Sequence, residues 1–491
     1  MEVVRVLDGE SLTVDTLYQI GCMGEKVALS KKSLKRMGEF RKRLETKISK
    51  KESIYGVNTG FGMLSNTHIS ERDARKLQTN LVRSHSAGVG PPFPEEIVRE
   101  AMTVKLNSLL KGNSCVRPEV ATTLAEFLNR RIVPFIPQIG SLGASGDLAP
   151  SAYMALAMIG EGRSFYKGTL METKPALREA GIAPLTLDSK EGISLINGTC
   201  FTAALACQAV VLGRKLLDMA NSCVSLTGEV LRANMQSFDE ELMQLRGQLG
   251  QVLVARDIRT KLQGSKHVRD TPVPQDPYSI RCSPQVHGSV YDAVSFAQAL
   301  VNTELNAVTD NPVMNEAGVI LHGGNFHAQP VAMALDLLSL ALSYLGDLSL
   351  ARIHQLMRYS EGKRAFFASK PGLESGLMLT EYTATALMNE NSTLIHPSSS
   401  YPANVSGGVE DHASHGVNAG LKALKVSENV AKILSIELLC SSNALSSSDL
   451  AGLSSHSVSL LKTVRSVSHP ISGDRPLGND IEALASRLMK P

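Results

Sequence analysis

Residues 140–150 read Gly140-Ser141-Leu142-Gly143-Ala144-Ser145-Gly146-Asp147-Leu148-Ala149-Pro150. Glycines at 140, 143 and 146 with serines at 141 and 145 describe a backbone that turns tightly ahead of an apolar run. A glycine-rich turn can cradle a phosphate, but neither the GxGxxG spacing nor a Gly-Lys-Ser/Thr ending is present. The chemistry open to this stretch is different. In Ala144-Ser145-Gly146 the Gly146 amide nitrogen can attack the Ala144 carbonyl, because glycine carries no side chain to block the approach. Loss of water, including dehydration of the serine, leaves a 4-methylidene-imidazol-5-one (MIO), an electrophile that no ordinary side chain supplies.

Around this stretch the composition excludes several function classes. A chain of 491 residues holds about two to four ordinary domains or one large helical body. Hydrophobic content of 43% suffices for a sizeable core, and 20% charged residues is normal for a soluble protein. A net charge of +3 gives no reason to expect a nucleic-acid partner. Seven scattered cysteines without a CxxC pair argue against a disulfide framework or a zinc cluster, so no metal is expected. The start, Met1-Glu2-Val3-Val4-Arg5, lacks a basic-then-apolar signal pattern. Asp336 and Asp347 interrupt the longest apolar region, Val331–Leu350, which argues against a membrane span. The expectation is a soluble, cytoplasmic protein.

Other stretches have an ordinary reading when taken alone. Lys31–Lys51 reads as a helix with a solvated basic face, and Ser151–Gly160 as a buried helix. Tyr55-Gly56-Val57-Asn58-Thr59-Gly60-Phe61-Gly62 is a second glycine-rich loop, in which a tyrosine usually packs. Leu81-Val82-Arg83-Ser84-His85 ends a helical stretch, where histidine commonly caps. Asn197 in Leu195-Ile196-Asn197-Gly198-Thr199 reads as an N-cap ahead of an apolar helical tract reaching about Ala233. Residues 262–276, with Gly264, Pro272 and Pro274, read as a mobile loop. Helical tracts follow at about 328–357, 375–391 and 413–445, and Glu410-Asp411-His412 reads as a solvated cap of the last.

Taken together these stretches resemble the MIO family of ammonia-lyases and aminomutases acting on aromatic amino acids. The residues that carry the likeness are Ala144-Ser145-Gly146-Asp147-Leu148-Ala149-Pro150, the Tyr55 loop, Ile196-Asn197-Gly198-Thr199, and Gln275-Asp276-Pro277-Tyr278-Ser279-Ile280-Arg281-Cys282. Glu304-Leu305-Asn306-Ala307-Val308-Thr309-Asp310-Asn311-Pro312 and Gly323-Gly324-Asn325-Phe326-His327-Ala328 extend it, so it runs from about residue 5 to 450. It implies a mainly all-α, long-helix bundle of the fumarase/aspartase-like type, with a loop-rich N-terminal part carrying the MIO. The corresponding division is 1–195, 196–450 and a helical tail at 451–491. It also implies a homotetramer with active sites shared among subunits, and no diffusible cofactor.

The resemblance assigns roles to individual residues. Ala144, Ser145 and Gly146 would become the MIO, and Tyr55 would be the base for the substrate's β-proton. Asn197 and Tyr278 would support the MIO and the amine, and Phe326 would back the ring. Arg281, with Gln275 beside it, would clamp the carboxylate, which guanidinium binds bidentately. Ser84-His85 and Glu410 resemble the histidine-specific branch, whereas phenylalanine-specific members carry apolar residues and a Gln at these places. A polar set can hydrogen-bond imidazole nitrogens, and Glu410 is suited to acid–base work as well. The implied reaction is elimination of ammonia from L-histidine to give urocanate. Departures at Lys363-Arg364-Ala365-Phe366-Phe367 and across Tyr401–Val409 leave other substrates open. Those are tyrosine, phenylalanine or another imidazole-bearing amino acid, with an aminomutase or a non-catalytic lyase-fold binding protein as further alternatives.

Overall fold

A computed structural model describes residues 3–60, 67, 69–70, 72–271, 275–361 and 364–489. Met1, Glu2, Phe61, Gly62, Pro272, Pro274 and Lys363 of the stretches above lie outside the described residues. The chain forms two compact units, each assembled from non-contiguous stretches. The first comprises residues 1–211, 297–335 and 397–421, and the second 212–296, 336–396 and 422–491. This partition differs from contiguous domains at 195/196 and 450/451. Four of its divisions fall inside the helices Cys200–Leu231, Ser283–Glu304, Gln329–Glu361 and Gly416–Ala444.

The first unit is organised on the helix Glu95–Leu110, which is buried from Ile97 to Leu110, including Arg99, Glu100, Lys105 and Asn107. A helix surrounded on all sides needs partners for its polar groups as well as for its apolar ones. Helices Val14–Cys22 and Pro118–Arg130 pack against it. Small sheets edge this unit. Val4–Leu7 pairs in parallel with Lys26–Leu29, and Val89–Pro92 pairs antiparallel with Pro137–Ile139. Arg163–Tyr166 sits between Val133–Pro134 and Thr169–Glu172. The fold is mainly α, as expected, with these short strands added.

The second unit holds most of each long apolar helix. Gln329–Glu361 runs 33 residues, about 50 Å at 1.5 Å per residue. Cys200–Leu231 and Gln329–Ser360 are long and apolar enough to cross a membrane, and their most apolar windows are 83% and 67% buried inside the protein. This unit also buries a polar cluster among its apolar core. Arg352 and Glu437, both 0% exposed, bond bidentately at 2.7 and 2.9 Å. Thr227 Oγ1 and Ser349 Oγ also donate to Glu437, and Arg352 Nη1 donates to the Ser279 carbonyl.

Two local expectations change. The described part of 262–276 is tied down: Met235 N donates to the Arg269 carbonyl, and Arg269 Nη2 meets Asp276 Oδ1. Composition marked this stretch as a loop but could not show its tie to Met235, about thirty residues away in the chain. Asn197 does not cap the helix that follows it. It ends the short helix Glu191–Ile196, and its side chain turns elsewhere.

Candidate active site

The Ala144-Ser145-Gly146 turn is held by the backbone opposite it. Gly146 has φ +79°, and a Cβ there would stand 2.3 Å from the Gly198 carbonyl oxygen, so only glycine fits. Gly146 and Gly198 pair as an isolated parallel bridge, and Asp147 N donates to Gly198 O at 2.7 Å. The fully buried Asp147 carboxylate accepts from Thr202 N, Thr202 Oγ1 and Ser141 Oγ. Burial pushes its pKa up, while those hydrogen bonds pull the other way.

Ser145 is gripped from two sides. Asn197 Nδ2 donates to its carbonyl oxygen at 2.9 Å, and its own hydroxyl donates to Glu410 Oε1 at 2.9 Å. Glu410 does not start a helix. It lies in a loop before Gly416–Ala444, bridged to Val405 by backbone hydrogen bonds. That bridge aims the carboxylate inward.

This turn forms part of a cavity of about 1410 Å³ within the first unit. Ala144, Ser145 and Asn197 line it, with Tyr55, Phe326 and Glu410. Helix Ala74–His85 contributes Leu77, Asn80, Leu81 and Ser84, spaced to share one face, and His85 from its last turn. His85 Nδ1 lies 2.9 Å from the Leu81 carbonyl and 3.0 Å from Ser84 Oγ. Burial pushes the His85 pKa down, with the Leu81 carbonyl and Glu410 opposing. A neutral ring bonded at Nδ1–H to Leu81 O leaves Nε2 as an acceptor, a tautomer inferred from its partners.

Four expected residues do not line this cavity: Gly146, whose backbone pairs with Gly198, and three that lie in other parts of the chain. Tyr278, Gln275 and Arg281 belong to the second unit, and Tyr278 is 70% exposed. Gln275 and Arg281 line a separate polar cavity of about 300 Å³. There Arg281 Nη1 donates to Gln275 Oε1 at 2.7 Å, and the guanidinium stacks on Tyr278 at 4.6 Å. Gln275, Tyr278 and Arg281 therefore do not line the cavity that Ala144 and Ser145 line. Of the departing segments, Ser406 and Val409 line the large cavity, whereas the turn Ala365–Phe367 lies in the second unit.

The cavity also holds histidines that were not singled out from the sequence. His322 meets Tyr55 edge-on with ring centroids 6.3 Å apart, and His327 stacks on His412 at 5.3 Å. Burial, then the His412 ring, push the His327 pKa down. Both stacked rings sit in motifs already quoted, directly after Phe326 and two residues after Glu410. That adjacency was the available signal. Asn80 was accessible through its spacing four residues before Ser84.

A mainly helical body that presents an Ala-Ser-Gly turn on a large cavity defines a lyase of the aromatic amino acid type, and the chain belongs to the aromatic amino acid lyase family, which it matches over residues 12–466. Among its relatives is the histidine ammonia-lyase of Caldanaerobacter subterraneus subsp. tengcongensis, 41% identical across 97% of this chain and 95% of that protein. Similar solved structures include a tyrosine aminomutase from Streptomyces globisporus, with TM-score 0.95 and 36% identity over 99% of this chain and 97% of the other. The histidine ammonia-lyase of Trypanosoma cruzi superposes with TM-score 0.91 and 36% identity, covering 99% and 93%.

Proposed function

We propose that this protein eliminates ammonia from L-histidine to give urocanate, using an MIO formed from its own Ala144, Ser145 and Gly146. The observation that carries the reading is Ser145 held between Asn197 and Glu410 on a cavity rimmed by Ser84 and His85. The residues fit the group. Gly146 has no room for a side chain, and the Ser145 carbonyl oxygen, which survives cyclisation, already has a donor in Asn197. Once formed, the ring supplies the electrophile that activates an amine as a leaving group.

The chain's own residues supply the rest. Asn197 Nδ2 withdraws charge through the Ser145 oxygen. Tyr55 takes the β-proton. His85 Nε2 accepts the imidazole N–H, while Glu410 holds the ring's other edge and exchanges its proton. Phe326 closes the apolar side. Arg281 clamps the carboxylate and Tyr278 steadies the amine, both supplied by a neighbouring copy in a homotetramer with shared sites. Supporting this are their exclusion from the cavity and the exposed Leu337, Tyr344, Leu379 and Tyr382.

The test is incubation with histidine, tyrosine and phenylalanine, reading products by ultraviolet absorbance and mass spectrometry. Urocanate formed fastest supports the reading, and cinnamate or coumarate formed faster refutes it. The likeness to a tyrosine aminomutase favours an aminomutase as the second reading, whose mark is a β-amino acid product.

A further inference from the structure

Lys105 lies inside the helix Glu95–Leu110 and is 3% exposed. Its Nζ donates to the Asn197 carbonyl at 2.6 Å and to the Ser194 carbonyl at 3.1 Å. Among the described residues no carboxylate lies within ion-pair distance of it. Lysine is almost never buried unless paired, and an apolar side chain of similar volume would stabilise such a place as well. The acceptors it has found are the last carbonyls of helix Glu191–Ile196, which otherwise lack partners and carry partial negative charge.

The residue held by Lys105 is the one that holds the cyclising turn. Asn197 gives its carbonyl to Lys105 and its Nδ2 to Ser145 O. The next residue, Gly198, bridges Gly146 and accepts from Asp147 N. At Gly198 a Cβ would stand 2.7 Å from Thr309 Oγ1 and 3.2 Å from Lys105 Nζ, so Lys105 closes off this turn from behind.

We propose that Lys105 is a positioning residue for formation of the MIO, acting through Asn197. The inference rests on the reading that residues 144–146 cyclise. In that reaction the Gly146 nitrogen bonds the Ala144 carbonyl carbon. The carbonyl oxygen leaves as water with the Gly146 and Ser145 amide protons. The Ser145 Cα proton and hydroxyl leave as a second water. Asn197 Nδ2, on the Ser145 carbonyl, eases loss of the adjacent Cα proton, and it is aimed only while its own backbone is fixed.

The test follows the mass of the peptide spanning 144–146 during refolding of wild type, Lys105→Gln and Lys105→Met. Folding is checked by circular dichroism and oligomer size. Arg99→Met is the control, a similarly buried cation on the same helix that bonds the Ile20, Gly21 and Leu128 carbonyls, away from the turn. Wild type should lose two waters, about 36 Da. The Lys105 variants should cyclise at least about tenfold more slowly, with unmodified or singly dehydrated peptide in place of the product. If Lys105→Met does not fold, Lys105→Gln decides, since its shorter, neutral side chain does not hold both the Asn197 and Ser194 carbonyls as Lys105 Nζ does. A folded Lys105 variant that loses both waters at the wild-type rate overturns the inference, as does an Arg99→Met control slowed equally. A wild type without the mass loss refutes cyclisation itself, a separate and distinguishable failure.

Discussion

Removing one member of the Arg352–Glu437 pair should destabilise the protein more than removing both. Both groups are fully buried and joined by two charged hydrogen bonds at 2.7 and 2.9 Å. Breaking such a pair costs about 3–5 kcal/mol, because the survivor remains as an uncompensated buried charge. The two halves are not equivalent. After Arg352→Met, Glu437 keeps the Thr227 and Ser349 hydroxyls, so the loss should fall near the lower figure. After Glu437→Leu, Arg352 retains only the Ser279 carbonyl among its described partners, so the loss should fall near the upper. The double variant leaves no stranded charge and should cost less than Glu437→Leu alone. Urea unfolding at fixed protein concentration, followed by circular dichroism, measures all three. Single losses below about 1 kcal/mol, the value of a surface pair, would refute the reasoning, and so would additive losses in the double variant. Because Ser279 adjoins Tyr278 and precedes Arg281, Arg352→Met should also raise KM, while the mass of the 144–146 peptide stays that of wild type.

Arg281→Lys should raise KM strongly and lower kcat, since a point charge cannot reproduce bidentate carboxylate geometry; kcat/KM within about twofold of wild type, roughly 0.4 kcal/mol, would show that Arg281 is not the clamp. Glu410→Gln keeps shape and removes charge, and His85→Phe removes the Nε2 acceptor. Each should erode turnover of histidine by about tenfold or more, and unchanged histidine kinetics in both would break the assignment of ring recognition. Stability should fall in acid. His287 is fully buried, and burial, with Arg352 second, holds its folded pKa well below 6.5. The unfolded chain then binds a proton near pH 6.5 that the folded protein refuses, so this contribution is present above that pH and lost as pH falls toward the folded value. His287→Gln should flatten that part of the stability–pH curve, and an unchanged curve would exclude His287 as its source.

The tripeptide, the mainly helical class and the long helices at 31–49, 200–231, 329–361, 378–394 and 416–444 could be read directly, because all are local, whereas Glu95–Leu110 and Ser283–Glu304 were not read. An apolar stripe of period 3.6 is present in the chain whether or not it is folded, and a glycine beside a serine keeps its chemistry. Glycine at 146 anticipated a turn with no room for a side chain, and the structure places the Gly198 carbonyl in that room. Ser84, His85 and Glu410 reach one cavity as anticipated, although they are more than 300 residues apart in the chain.

What local pattern could not decide was partnership between distant backbone segments. Asn197 looks like an N-cap in sequence, and only the approach of residues 145 and 105 turns it into a link between a buried lysine and Ser145. Arg281 and Tyr278 sit in a motif that reads as part of one site, yet folding puts them in a different unit from the cavity. A motif preserves which residues serve one reaction and leaves open which fold, or which copy, brings them together. The chemistry proposed for residues 144–146 was thus legible in the sequence alone. Who holds Ser145 was decided by packing, since a hydrogen bond depends on a few tenths of an ångström that no one-dimensional pattern records.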